Sequence, residues 1–87
     1  MKPVVRRSTP REGAEAAAWV PWVCGPCSFE WGYAAAETCL VLEGEAVVES
    51  GGAEVRVGPG DLIQLPKGLA CRWRVLSPVR GRRRIEE

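Results

Sequence analysis

The stretch Gly60–Cys71, GDLIQLPKGLAC, carries the spacing that decides the fold. Its LIQL segment predicts a short strand, which Pro66 ends because proline cannot donate a hydrogen bond to a sheet. Five residues separate Gly60 from Pro66, one residue separates Pro66 from Gly68, and two residues separate Gly68 from Cys71. A short strand bounded by turn residues on both sides is typical of all-β proteins.

The neighbouring segments continue the strand pattern. Ala53–Val57 and Leu69–Val75 alternate apolar and polar side chains, which predicts strands with one buried face. Phe29–Tyr33, FEWGY, places its three aromatic rings on one face of a strand. Thr38–Glu49 predicts a hairpin, because Glu43–Glu45 interrupts a run of strand-forming residues. About five or six closely spaced strands indicate an all-β sandwich or barrel.

One short helix is predicted ahead of these strands, near residues 10–18. Thr9 is a suitable N-cap, Pro10 suits the first turn, and Glu12 stands where the acidic residue of a capping box belongs. The alanine-rich segment that follows favours a helix, and Pro21 ends it.

The tetrapeptide Cys24-Gly25-Pro26-Cys27 has the spacing of a thioredoxin redox centre, but its surroundings favour a β-turn. A redox centre of that kind needs a helix N-terminus or a cation to activate its thiol. Here an aromatic strand signal follows instead, so we predict that Cys24 and Cys27 are not a catalytic redox pair.

Composition excludes several function classes. The net charge of +1 argues against a nucleic-acid-binding protein, and Arg80–Arg84, RGRRR, is interpreted as a solvated strand or tail. No apolar run approaches the ~20 residues of a membrane span, and no secretory signal is visible, so we expect a cytoplasmic protein. There the four cysteines are expected to be thiols. Histidine is absent, which removes the commonest general base and metal ligand.

The spacing resembles the two motifs of the cupins. Glu37 precedes Gly44 with six residues between them, and fifteen residues separate Gly44 from Gly60, where the stretch Gly60–Cys71 begins. The chain is most similar to the small single-domain cupins grouped with the ureidoglycine aminohydrolase cupin domain. The resemblance implies a double-stranded β-helix barrel of the jelly-roll type. One domain is therefore expected over residues 1–87, with an N-terminal arm and short helix at 1–27, core motifs at 28–77 and a C-terminal strand or tail at 78–87.

The resemblance also indicates how this chain departs from metal-binding cupins. Cupins of that kind carry histidine ligands at the positions held here by Trp31, Tyr33 and Cys71, and only Glu37 stands for the fourth ligand. We therefore predict that the barrel binds a small organic molecule without a metal ion or other cofactor.

The expected binding site lies at the barrel mouth. Ring faces suit a flat, sugar-like or heterocyclic compound, and the Glu37 carboxylate suits an amine, amide or hydroxyl donor. If a reaction takes place there, Glu37 is the acid/base candidate, with Tyr33 or Cys71 as its partner, because burial raises the pKa of a carboxyl group. The predicted ligand-binding residues are Trp31, Tyr33, Glu37, Cys39, Cys71 and Trp73.

Two alternatives stay open at this point. One is a metal-dependent hydrolase related to ureidoglycine aminohydrolase, with Glu37, Cys39 and Cys71 as the ligands. The other is a structural or regulatory dimer without a ligand. A homodimer is expected in any case, because Leu40 and Leu42 lie in a run that is apolar on both faces and need cover away from the barrel.

Overall fold

The computed structural model describes residues 1–86, which fold into seven strands and one short helix. No helix in this range is both long enough and apolar enough to cross a membrane. The helix, α1, lies between the first two strands. The elements are β1 (Val4–Arg7), α1 (Pro10–Ala16), β2 (Val20–Cys24), β3 (Cys27–Gly32), β4 (Ala36–Ser50), β5 (Ala53–Val57), β6 (Asp61–Leu65) and β7 (Ala70–Glu86).

Two long antiparallel strands, β4 and β7, organise the sheet. The first half of β4 pairs with β6 and its second half pairs with β5. The first half of β7 pairs with β3 and its second half pairs with β2, while β1 extends the sheet beyond β6. Each long strand therefore passes from one set of partners to another, and the sheet closes into a double-stranded β-helix. The predicted all-β fold class is confirmed.

The alternation predicted for the start of β7 is confirmed by its burial. Leu69, Cys71, Trp73 and Val75 are all buried, whereas Arg72 is exposed. The inward residues join a single apolar cluster that fills the barrel. This cluster forms the wall on which the candidate site is built.

The hairpin predicted at Glu43–Glu45 is wrong, because β4 runs through this segment as one strand. Gly44 has a φ of 86°, and the pairing of β4 with β7 shifts register on both sides of it. A Cβ atom at Gly44 would lie 2.1 Å from the carbonyl oxygen of Pro78. Glycine therefore allows a β-bulge that bends the strand instead of reversing it.

The N-terminal arm holds two strands that the sequence pattern did not predict. β1 pairs with β6, and β2 pairs with the C-terminal half of β7. Pro21, taken from the sequence as the end of a helix, lies inside β2 opposite Arg82. An edge strand tolerates proline because one side of it needs no donor. The predicted C-terminal segment belongs to β7 as far as Glu86, and Glu87 lies outside the described residues.

The predicted helix is confirmed, although it ends two residues early, at Ala16. Thr9 and Glu12 form the complete capping box, and the Glu12 carboxylate is also paired with Arg6 of β1. The Arg6 guanidinium lowers the pKa of Glu12 to about 2. These contacts tie α1 to the sheet.

The helix covers the outer face of β4. Leu40 and Leu62 are buried against Ala16 of α1, and Trp19 packs at the edge of this second apolar cluster with Leu42. The cover that Leu40 and Leu42 were expected to need from a second subunit is thus supplied within the chain. The homodimer stays a prediction, without this argument in its favour.

Candidate functional site

A small aromatic cavity opens between β2, β3, β4 and β7. Its volume is about 210 Å³, and its lining is mostly apolar, with one carboxylate and one guanidinium. Four of the predicted ligand-binding residues, together with Trp31 at the rim, surround it. The lining residues are Trp22, Phe29, Trp31, Tyr33, Glu37, Cys39, Trp73 and Arg83.

Trp73 stands at the centre of the aromatic wall. Its ring and that of Trp22 are roughly perpendicular, with a centroid distance of 5.9 Å and an angle of 80°, and it stacks on Phe29 at 6.3 Å and 5°. Phe29 is the cross-strand partner of Trp73, so the pairing of β3 with β7 creates this stack. The indole nitrogen of Trp73 donates a hydrogen bond of 3.0 Å to the hydroxyl oxygen of Tyr33.

Trp31 does not lie buried beside Phe29 and Tyr33 as the shared strand face predicted. It is 54% exposed and contributes only to the rim of the cavity. Trp31 lies opposite Cys71, near the end of β3, which pairs with β7 alone among the described strands. At the end of an edge strand, fewer neighbouring residues cover a side chain. A ring there stays half in solvent even when the alternation of the strand directs it inward.

Glu37 reaches the cavity with a side chain that is 11% exposed. Its Oε1 atom lies 3.4 Å from Nη1 of Arg83 and accepts from the thiol of Cys39 at 3.8 Å. The expected hydrogen-bond partners within the chain, Tyr33 and Cys71, are therefore replaced by Arg83 and Cys39. The register explains this, because Arg83 pairs with Cys39 and is the diagonal neighbour of Glu37 across β4 and β7.

Arg83 is a cavity-lining side chain that the sequence reasoning missed. It belongs to Arg80–Arg84, which was interpreted as solvated. The signal was present, because odd-numbered residues of β7 face inward from Cys71 to Gly81 and Arg83 continues that parity. Trp22 was missed for a related reason, since β2 was not predicted as a strand.

The buried hydroxyl and thiol groups near the site stay neutral at physiological pH. Burial raises the pKa of Tyr33 and of Cys39 well above their ordinary values. Burial also raises the pKa of Cys71. A thiol acts as a nucleophile through its thiolate, so neither cysteine is activated for covalent chemistry.

Cys71 does not line the aromatic cavity. It lies beside a second cavity of about 640 Å³, whose other walls include Trp31, Glu49 and Arg72. The predicted catalytic set of Glu37, Tyr33 and Cys71 is thus divided, with Glu37 and Tyr33 at one cavity and Cys71 at the other.

The donor set does not fit a metal ion. No group of three cysteine, aspartate or glutamate side chains within residues 1–86 is arranged to hold one. Glu37 and Cys39 are neighbours, but Cys71 faces the second cavity. The three-ligand site that the metal-dependent alternative requires is therefore not assembled by these residues.

Comparisons with known proteins agree with this architecture. A family model described as the EutQ-like cupin domain matches residues 11–83. The chain is similar over 98% of its length to a DUF861 family protein from Thermotoga maritima, with 35% identity, a TM-score of 0.92 and the whole of that chain covered. No curated protein matches the sequence.

Two more distant structures share the fold alone. The EutQ protein of Clostridium difficile is 19% identical over 93% of this chain and 64% of its own, with a TM-score of 0.69. A designed double-stranded β-helix is 22% identical over 77% of this chain and 96% of its own, with a TM-score of 0.55. The second likeness identifies the barrel type directly.

Proposed function

The chain belongs to the EutQ-like cupin family, and we propose that it binds a small planar organic molecule with an N–H or O–H donor in the aromatic cavity, without a metal ion. One observation carries this proposal. Both hydrogen bonds of the Glu37 carboxylate use Oε1, so no group within residues 1–86 donates a hydrogen bond to Oε2. Aromatic side chains line the same cavity as this carboxylate.

A carboxylate in such a place is costly unless it is paired. Transfer of an ionised group to an apolar site costs several kcal/mol without compensation. The contact with Arg83 is long at 3.4 Å, and the Arg83 side chain is 39% exposed, so it compensates only in part. A ligand N–H or O–H that reaches Oε2 supplies the missing partner.

The cavity volume limits the size of the ligand. An apolar cavity of about 150 Å³ holds a molecule of benzene. The cavity here, at about 210 Å³, accommodates one ring with a small substituent. The aromatic side chains of Trp22, Phe29 and Trp73 in the lining favour a flat ligand.

Glu37 is also the acid/base candidate if the bound molecule reacts. Of the described side chains that line the cavity, Tyr33 and Cys39 hold their protons because burial raises the pKa of each, and arginine stays protonated at any physiological pH. A proton transfer in this cavity would therefore use the Glu37 carboxylate, with the Tyr33 hydroxyl as a neutral hydrogen-bond donor.

A relation to ureidoglycine hydrolysis is the alternative function that the sequence suggested. An amide or ureido group is planar and carries N–H donors, so such a compound fits the same contacts with Glu37. The metal-dependent form of that reaction has no support from the donor set described above.

Three one-ring probes test the proposal: benzylamine, benzamide and benzoate. Ligand-observed NMR should detect binding of benzylamine and benzamide, both of which carry N–H donors, and at least about tenfold weaker binding of the anionic benzoate. Glu37→Gln should weaken benzylamine binding by about 10- to 100-fold, the value of a charge-assisted hydrogen bond. Glu54→Gln, on the exposed surface, is the matched control. Equal binding of all three probes would contradict the proposal. Equal binding of benzylamine by Glu37→Gln and Glu54→Gln would contradict it as well.

A further inference from the structure

The two cysteines of the Cys24-Gly25-Pro26-Cys27 segment lie close together. Their sulfur atoms are 3.3 Å apart, and both residues are free thiols. Cys27 is exposed and Cys24 is half-buried, with its thiol directed toward the carbonyl oxygen of Gly25. The binding function proposed above uses neither of them.

The sheet holds these thiols near each other. Cys24 ends β2 opposite Val79, and Cys27 begins β3 opposite Val75, so both are fixed to the same strand β7. The connection between them is only Gly25 and Pro26, and proline restricts the backbone further. The thiols therefore do not need to be brought together from a distance.

We propose that Cys24 and Cys27 form a reversible intramolecular disulfide that fastens β2 to β3. Two thiols alone supply too few ligands for a closed metal site. No third cysteine or acidic ligand joins them within residues 1–86. Disulfide formation is therefore the chemistry that this pair favours.

The oxidant in this proposal is a low-molecular-weight disulfide such as oxidised glutathione. The Cys27 thiolate attacks one of its sulfur atoms, the S–S bond breaks, and one glutathione thiolate leaves and takes up a proton. The Cys24 thiolate then attacks the Cys27 sulfur of the mixed disulfide and releases the second glutathione. Two electrons pass from the cysteine pair to the small disulfide, and the two cysteine protons end on the two released thiols.

Accessibility assigns the order of these steps. Cys27 is exposed and can meet the oxidant, whereas Cys24 lies beside a cavity of about 320 Å³ formed with Glu43, Pro78 and Arg80. Burial and the neighbouring Cys27 raise the pKa of Cys24. Oxidation at neutral pH should accordingly be slower than in an activated redox enzyme, and it should be faster in alkaline solution. This behaviour is that of a modification site and not of a catalytic one.

The bridge would act on the walls of the aromatic cavity. Trp22 lies two residues before Cys24 and Phe29 lies two residues after Cys27, so each ring shares a strand face with the adjacent thiol. Both rings contact Trp73. A covalent link between β2 and β3 therefore changes the freedom of two residues that line the cavity.

The test oxidises the full chain with oxidised glutathione and counts free thiols by alkylation in denaturant, followed by mass spectrometry. We expect the count to fall from four to two, with Cys39 and Cys71 alkylated, and dithiothreitol to restore four. Cys24→Ser should instead retain glutathione on Cys27. Four remaining thiols, a bridge that includes Cys39 or Cys71, or a bridge between two chains would overturn the proposal.

The link to the cavity has its own readout. Tryptophan fluorescence should change on oxidation of the wild-type chain and return with dithiothreitol, because Trp22 and Trp73 lie beside the bridged strands. Oxidised Cys24→Ser and Cys27→Ser, which cannot close the bridge, are the matched controls. An unchanged wild-type spectrum, or the same change in both controls, would overturn the coupling. This result does not depend on whether any probe binds the cavity.

Discussion

Trp73 and Tyr33 are joined inside the barrel by a hydrogen bond of 3.0 Å from the indole nitrogen to the phenol oxygen. Both side chains are buried, with exposed fractions of 3% and 7%. The backbone of Tyr33 is fixed as well, because its N–H donates to Leu69 and its carbonyl accepts from Gly68. This pair sets the inner wall of the aromatic cavity, and the hydroxyl oxygen of Tyr33 satisfies the buried indole N–H of Trp73.

The ionisation of Tyr33 gives a first prediction. Burial raises the pKa of Tyr33 above its ordinary value of about 10. The unfolded chain therefore loses the phenol proton at a lower pH than the folded chain. The contribution of Tyr33 to the free energy of unfolding is fully present below about pH 10 and is lost as the pH rises through the pKa of the folded state. Tyr33 is the sole tyrosine, so tyrosinate absorbance reports it directly. A folded protein whose tyrosine titrates near pH 10 would contradict this prediction.

Removing the hydroxyl group gives a second prediction. Tyr33→Phe leaves the buried indole nitrogen of Trp73 without its acceptor. We expect the free energy of unfolding to fall by about 1–3 kcal/mol, the cost of an unsatisfied buried polar group. Urea denaturation measures this change. Trp31→Phe is the control, because Trp31 is half-exposed and should lose much less. Equal losses in the two variants would assign the effect to ring packing.

The sequence was most informative where alternation was uninterrupted. Leu69–Val75 alternates strictly, and its inward residues are all buried. The same parity extends through β7 to Arg83, but the arginine-rich composition of that end suggested a solvated tail. The partner of Glu37 was hidden in this way, because Arg83 lies 46 positions further along the chain and only the pairing between β4 and β7 brings the two together.

The sequence was least informative where glycine and proline have two meanings. Gly44 suggested a hairpin but forms a β-bulge. The close approach of Pro78 decides between the two. Pro21 suggested a helix end but lies in the edge strand β2. Its missing N–H is tolerated there, because one side of an edge strand needs no hydrogen-bond donor. In both cases the deciding contact comes from the distant strand β7, which local pattern cannot show.

Gly81 gives a third prediction, on packing behind the cavity. A Cβ atom there would lie 2.6 Å from the carbonyl oxygen of Leu40 and 3.0 Å from the indole nitrogen of Trp22. Gly81→Ala should therefore displace Trp22 and lower the free energy of unfolding by about 1–3 kcal/mol. Gly13→Ala is the matched control, because that position in α1 has open space and alanine favours a helix by about 0.5–1 kcal/mol. Thermal melting should move in opposite directions for the two variants.

The fourth prediction separates a functional from a structural role for Glu37. Glu37→Gln keeps the shape of the side chain and removes its charge. The pair with Arg83 is long, and Arg83 is 39% exposed, so the charge of Glu37 gains little from it. We expect the free energy of unfolding at neutral pH to stay equal or to rise, by less than about 1 kcal/mol, because the charge is only partly compensated in the folded chain.

Binding should respond to the same substitution far more strongly than stability does, because the ligand donor meets a carboxylate that has one oxygen unpaired. Urea denaturation and benzylamine binding are measured on the same preparations. Glu43→Gln, which breaks the exposed pair with Arg80, is the control and should alter neither quantity appreciably. A purely structural Glu37 would give the reverse pattern, with a stability loss of about 1–3 kcal/mol as its partners go unsatisfied and with binding unchanged.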